Sequence, residues 1–373
     1  MKSKQMYLFA CIEKNIGDDL FIYAVTQRYP KINFIISSDA DYLKVNEINN
    51  LYYSSIINYW LKFANNASDN CLKRCIASII EKLFRLFLKR LDSIYIVGNA
   101  FKNMNYKGFY QIKWLKNRIK ISKNFYLIST NYGPTNNDAW EKDCRNVFSS
   151  ITDICFRDKK SYELFKDMKN VRYAPDAVIS LEVKKRNVNE KKYIIISVID
   201  CKMDSRPNNL QQISLNYEDK MVSLINSFNE NGIDIILLNS NTDQDGPASK
   251  RIYDNCKTKD MVFIYNYNGD LNEIFGLFEQ AKGIIATRLH TIILAWKYDI
   301  PVIPIVYDIK VENLLKSYHF NENKWDICNI DEIDYLSVLN SFKNYSYVLS
   351  KQILIDANKQ FLKIDTHLKK GEE

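Results

Sequence analysis

From Tyr193 to Val306 short β-branched runs alternate with helical stretches, and that alternation leaves few folds open. Strands are predicted at Tyr193–Ile199, Ile233–Leu238, Met261–Tyr265, Gly283–Thr287 and Pro301–Val306. Helices are predicted between them at Tyr217–Asn229, Pro247–Cys256, Leu271–Ala281 and Leu289–Lys297. Runs such as YIIIS and PVIPIV are apolar on both sides of the strand, so each must be covered on two faces. Repeated βαβ with such strands implies a parallel, doubly wound sheet.

The first half fits the same α/β class, with strands predicted at Met6–Ile12, Ile32–Ser37, Ile94–Val97, Phe125–Thr130 and Ile154–Arg157. The segment Leu181–Lys192 is charged and poor in apolar residues, which reads as a linker. The expected organisation is therefore a Rossmann-like domain over 1–182, a second over 193–330, and helices over 331–373 that pack back on the first domain. A chain of 373 residues is long enough for two such cores.

Fifty-two Lys and Arg against 44 Asp and Glu leave a formal charge of +8, which suits a small anionic substrate or an anionic surface. The charges are interspersed and no zinc-finger, RNA-recognition or basic-zipper signature occurs, so nucleic acid is not an expected partner. The apolar run before Glu13 is too short for a signal-peptide core and no run approaches a membrane span, so a cytoplasmic location is expected. Eight Cys without CxxC pairs fit reduced thiols and no zinc site. The stretch 72–91 carries six Lys or Arg, with Ile76, Ile79, Ile80, Leu83, Phe84 and Phe87 at helical spacing. Such a helix fits the inner face of an anionic membrane or an ordinary core face equally well.

In doubly wound sheets ligands bind at the carboxyl ends of strands, where the next helix presents its amide N–H groups. The strand GIIAT runs directly into Arg288, Leu289 and His290, bringing a guanidinium and an imidazole to such an end. That pair suits a multiply charged anion; an arginine capping a carbonyl and a histidine satisfied in the core are the plainer possibility. With His319 and His367 in late helical segments, an imidazole put to use in the chemistry would be His290. One strand later come Tyr307 and Lys310. In the first half, Asn15, Gly17, Asp18 and Asp19 follow the first strand; Asn131 follows FYLIST, Arg157 follows ITDICF, and Asp176 precedes the linker. The lone Gly17 is not a GxGxxG fingerprint, which argues against NAD and FAD. Turn and cap roles fit most of these residues as well.

Taken in order, NIGDDL, NYGP, FRDKKSYELFK, YAPDAVISL, SVI and TRLHTIILAWKYDIPVIPIVYDIK resemble the motifs of the polysaccharide pyruvyl transferase family. The resemblance implies two Rossmann-like domains facing a cleft, as in B-type glycosyltransferases. It further implies phosphoenolpyruvate as donor, no cofactor or metal, and as acceptor a cell-surface glycan sugar, in bacterial members often carried on polyprenyl diphosphate. On that reading His290 protonates the donor, Arg288 holds it with Arg157, Lys310 and Tyr307, and Asp18 or Asp176 serves the acceptor beside Asn15, Gly17 and Asn131. A Gly-Gly-Ser-like turn common in the family is replaced here by Gly98-Asn99-Ala100-Phe101. A nucleotide-sugar glycosyltransferase, or a binding protein with a degenerate site, would share most of these features.

Overall fold

The computed structural model describes residues 4–36, 48–54, 91–103, 108–135, 137–185 and 192–370, with five single positions between 71 and 90. The stretch 72–91 thus lies almost wholly outside the described residues; of its members, Cys75, Ile79, Lys82, Leu83 and Leu86 are exposed helical positions. Among the described residues no helix is long and apolar enough to cross a membrane. The chain divides into two compact units. One comprises Met1–Ile12, Phe21–Leu181 and Leu354–Glu373, the other Glu13–Leu20 and Glu182–Ile353.

The first unit is built on a parallel sheet of β1 (Lys4–Ala10), β2 (Ile32–Ile36), β3 (Leu51–Tyr53), β4 (Asp92–Ile96), β6 (Phe125–Thr130), β8 (Asp153–Phe156) and β9 (Val171–Tyr173). Their spatial order is β3-β2-β1-β4-β6-β8-β9, the two-way winding from a central first strand that defines a Rossmann-like sheet. Two short strands, β5 (Phe101–Asn103) and β7 (Tyr132–Thr135), pair beside it. In β4, β6 and β8 every residue is buried, which is why their apolar residues follow one another rather than alternating with polar ones.

The second unit carries β10 (Tyr193–Ser197), β11 (Asp234–Asn239), β12 (Val262–Asn266), β13 (Ala281–Ala286), β14 (Val302–Val306) and β15 (Trp325–Asp326), all parallel, in the order β12-β11-β10-β13-β14-β15. The winding reverses between β10 and β13. The amide and hydroxyl of Thr287 both donate to Ser197 O, at 3.1 and 2.8 Å, locking the ends of these two strands together.

Strands were predicted to within two or three residues, but β3, β5, β7, β9 and β15 were not, because two to four residues carry too little periodicity to read. The helix predicted from Pro247 starts earlier, at Thr242, capped by Asn241, whose side chain accepts from Gln244 N. Proline in the second turn had masked the true first turn.

Of the helices expected over 331–373, those up to Ile353 belong with the second unit and the rest with the first. The last segment is bound to the first sheet by buried polar contacts. Gln360 is fully buried; its Nε2 donates to the carbonyls of Ala174 (2.8 Å) and Pro175 (3.0 Å), and its Oε1 accepts from Ser129 N at 2.9 Å. Ser129 is a buried non-glycine residue at φ 52, where the pairing of β6 with β8 shifts register. Arg28 and Tyr29 grip Asp365, and His367 Nε2 meets Asp92 Oδ2 at 2.9 Å. Gln360→Ala is expected to leave at least two buried groups without partners and to destabilise the first unit by about 2–5 kcal/mol. Urea unfolding followed by a probe in that unit measures the loss; a shift within error would show that the carbonyls find other donors.

Candidate functional site

The end of β13 delivers the residues that the second unit presents at its winding reversal. Arg288 caps the helix Leu289–Lys297 in an extended conformation, φ −86 and ψ 128, so its side chain leaves the helix while His290 lies in the first turn. The Arg288 side chain itself makes no capping hydrogen bond at that helix end. Thr291 Oγ1 lies 3.1 Å from Ser240 Oγ, tying the first turn to the loop after β11.

Arg288 is not presented to solvent as a bare cation. Its Nε donates to both carboxylate oxygens of Asp245, at 3.2 and 3.1 Å, and its Nη2 donates to Asp245 and to Gln244 Oε1. Burial would lower the guanidinium's pKa, but the charge of Asp245 and hydrogen bonding to Asp245 and Tyr307 hold it above its ordinary range. Asp245 is fully buried and also accepts from Asn241 N at 3.1 Å. It therefore fixes the Nε–Nη2 edge of Arg288 and leaves Nη1 outside the pair. Replacing Asp245 by Asn is expected to destabilise the second unit by about 3–5 kcal/mol, since it leaves a buried charge without its counter-ion. Thermal unfolding of the purified variant checks this, and an unchanged midpoint would show that Arg288 relaxes to water.

The imidazole of His290 is held from the other side by the turn Asn15–Asp19. Although that turn follows β1 in sequence, and was expected in the first domain, it belongs with the second unit. Ile16 N donates to Ser240 O at 2.9 Å, Asn15 bridges to Asn241, and Asn15 Oδ1 accepts from Gly17 N at 2.9 Å. The fit is close. A Cβ at Gly17 would stand 2.0 Å from His290 Nδ1 and 2.7 Å from Cε1, distances no side chain tolerates. Asp18 is half-buried in the first turn of the helix Ile16–Arg28, and Asp19, 1% exposed, accepts from the Tyr267 hydroxyl at 2.6 Å. That bond makes Asp19 an anchor of the turn.

Tyr307 directly follows the next strand, β14, and Lys310 lies in the first turn of the helix Ile309–Ser317, where its amide donates to Asp308 Oδ1 at 2.7 Å. Arg206 also reaches this neighbourhood. It sits in the loop after β10, with its Cζ 5.4 Å from the centre of the Tyr307 ring. Neither Arg206 nor Asp245 was among the site residues expected from the sequence. Arg206 stands nine residues beyond its strand, and Asp245 lay in the unrecognised first turn before Pro247, where acidic residues commonly favour a helix start.

The remaining expected site residues gather in the first unit. Arg157, at the end of β8, donates through Nη1 to Asp176 Oδ2 (2.7 Å) and through Nη2 to Gly98 O (3.1 Å) and Asn131 Oδ1 (3.2 Å). Asp176 is 1% exposed and its other oxygen accepts from Val178 N, so its visible work is to hold Arg157 and to cap a 3₁₀ turn. A Cβ at Gly98 would meet Arg157 Nη2 at 2.8 Å, so the altered turn keeps glycine where the guanidinium packs. Gln360 braces Ser129, two residues before Asn131, and so fixes the floor of this cluster.

The family model for polysaccharide pyruvyl transferase matches residues 15–309. No curated protein matches the chain in sequence. Among solved structures, UDP-GlcNAc 2-epimerase from Methanocaldococcus jannaschii is similar in fold at 12% identity, with 97% of this chain and 99% of that chain covered and a TM-score of 0.58. The protein TarM gives 10% identity, 99% and 98% coverage and a TM-score of 0.52. UDP-GlcNAc 2-epimerase from Neisseria meningitidis gives 14%, 98% and 100%, and 0.50. These likenesses establish a fold of the B-type glycosyltransferase and epimerase kind, and at such identities nothing more.

Proposed function

The chain belongs to the polysaccharide pyruvyl transferase family, and from that premise we propose that it transfers pyruvate from phosphoenolpyruvate onto two hydroxyls of a glycan sugar as a ketal. The observation that carries the reading is the pairing of Arg288 with His290 at the winding reversal of the second sheet, with Gly17 pressed against the imidazole. A fixed guanidinium and a held imidazole, carried two residues apart at one strand end, supply an anion ligand and a proton donor.

His290 gives a proton to the methylene carbon of phosphoenolpyruvate, making it a methyl group and leaving the adjacent carbon cationic. One sugar hydroxyl adds there and loses its proton. Phosphate then leaves, a second hydroxyl closes the ring, and its proton departs with the phosphate or returns to the imidazole. Arg288 and Lys310 hold the donor's anionic groups, Tyr307 orients Arg288, and Asp18 accepts a hydroxyl proton. Arg157, kept in place by Asp176 and Asn131, is a further anion ligand in the first unit. The acceptor is a polysaccharide sugar or its polyprenyl-diphosphate-linked precursor, met at the inner face of the membrane, where the basic 72–91 stretch would assist.

The test incubates purified protein with phosphoenolpyruvate and a panel of lipid-linked and aryl glycosides, and follows inorganic phosphate release together with the mass of the glycoside. Release that requires both substrates and yields the ketal mass is expected. Transfer from a nucleotide sugar instead, with nucleoside diphosphate released, would replace this reading by that of a glycosyltransferase.

A further inference from the structure

We propose that Arg206 is a donor-binding residue, supplying the unbalanced positive charge that recognises an anionic group of the substrate. The proposal rests on the donor reading above and on an account of charge within the second unit. Phosphoenolpyruvate brings a carboxylate and a phosphate. Arg288, the obvious ligand, is already bound edge-on by Asp245, and the two charges cancel locally. Arg251 is balanced in the same way by Asp200 and Glu218, at 2.8 and 2.7 Å, and Lys202 lies 3.1 Å from Glu218.

Arg206 differs. Its Nε donates to the backbone carbonyl of Asp200 at 3.3 Å, and its guanidinium lies over the Tyr307 ring. Neither partner carries a negative charge there. Its Nη2 is buried and meets no hydrogen-bond acceptor among the described residues. The carboxylate of Asp245 is near enough to feel its charge but is committed to Arg288. A guanidinium held by a carbonyl and an aromatic face, with one donor nitrogen in a buried position unused, is pre-organised for an oxyanion. Its position supports the same conclusion. Arg206 belongs to the loop after β10, the strand beside β13 at the winding reversal, and it shares Tyr307 with Arg288. Tyr307 therefore links a neutralised arginine to one with charge to spare.

The test uses the full chain, Arg206→Gln and Arg206→Lys, with phosphoenolpyruvate and inorganic phosphate as probes in calorimetry, and KM and kcat for each substrate where turnover is measurable. For Arg206→Gln, KM for phosphoenolpyruvate and the dissociation constants of both probes are expected to rise about 10- to 100-fold, the size of a lost charged hydrogen bond. The KM of the acceptor should not move, and the unfolding midpoint should stay within a few degrees. Arg206→Lys keeps the charge but not the fork, and an intermediate loss is expected; it also serves if the glutamine variant does not fold. Unchanged probe affinity in a folded variant overturns the role of Arg206. Wild-type protein that binds phosphate through Arg206 but neither binds nor turns over phosphoenolpyruvate leaves the anion site standing and sinks the donor reading instead.

Discussion

Turnover of phosphoenolpyruvate by a His290→Gln variant is expected to fall about 10²- to 10⁴-fold, with KM for the donor changed only a few-fold. Glutamine retains a hydrogen-bonding side chain of similar reach but cannot give up a proton, so the loss isolates acid catalysis from packing. The surroundings of His290 favour this separation. Its ring, carried by the first turn of the helix Leu289–Lys297, packs against Gly17 of the Asn15–Asp19 turn, and the turn has its own anchors at Ser240, Asn241 and Tyr267. The variant should therefore fold, which an unchanged unfolding midpoint would verify. Retention of near-normal kcat would remove His290 as the acid and leave Arg288 with a purely electrostatic role.

Much of the fold was legible because central parallel strands are buried on both faces. Ile194–Ile196, Ile235–Leu238 and Tyr126–Ile128 are buried runs with turn signals around them, and a run of that length between helical patterns has few other readings. Strand ends were legible for the same reason, which is how Arg157, Arg288, Tyr307 and Lys310 were singled out. Partners were not legible. That Asp245 neutralises Arg288, and that Asp176 holds Arg157, depends on which loops meet at the sheet edge, and side-chain pairs 43 and 19 residues apart leave no periodic trace. The Asn15–Asp19 turn was misplaced for a related reason. Its strand belongs to the first unit, and nothing local says that Asn15 and Ile16 pair with Asn241 and Ser240 of the second. Gln360 is a similar case, a single buried polar residue near the end of the chain that satisfies a strained serine more than 200 residues earlier.

Gly17→Ala should lower kcat by about 100-fold or more without unfolding the protein, and it tests the geometry rather than the chemistry of the site. The added methyl would stand 2.0 Å from His290 Nδ1, 2.7 Å from Cε1 and 2.9 Å from Cγ, so either the ring or the turn must move by more than 1 Å. The turn is the less free to move. It is fixed at Ile16 N by Ser240 O, at Asn15 by Asn241 and at Asp19 by Tyr267, whereas the ring can swing about two side-chain torsions. Displacing a proton donor by about 1 Å is sufficient for a loss of this size, because the proton must reach one carbon along a short path. Alanine also has the higher helix propensity, by roughly 0.5–1 kcal/mol, and position 17 lies in the first turn of the helix Ile16–Arg28. Stability is thus expected to hold or change little while activity collapses, a pattern that loss of folding cannot imitate. Adding Gly17→Ala to His290→Gln should then cost little more than His290→Gln alone, because the methyl acts through the ring. Full multiplication of the two losses would mean that Gly17 serves the substrate directly, through its close backbone, and not the imidazole.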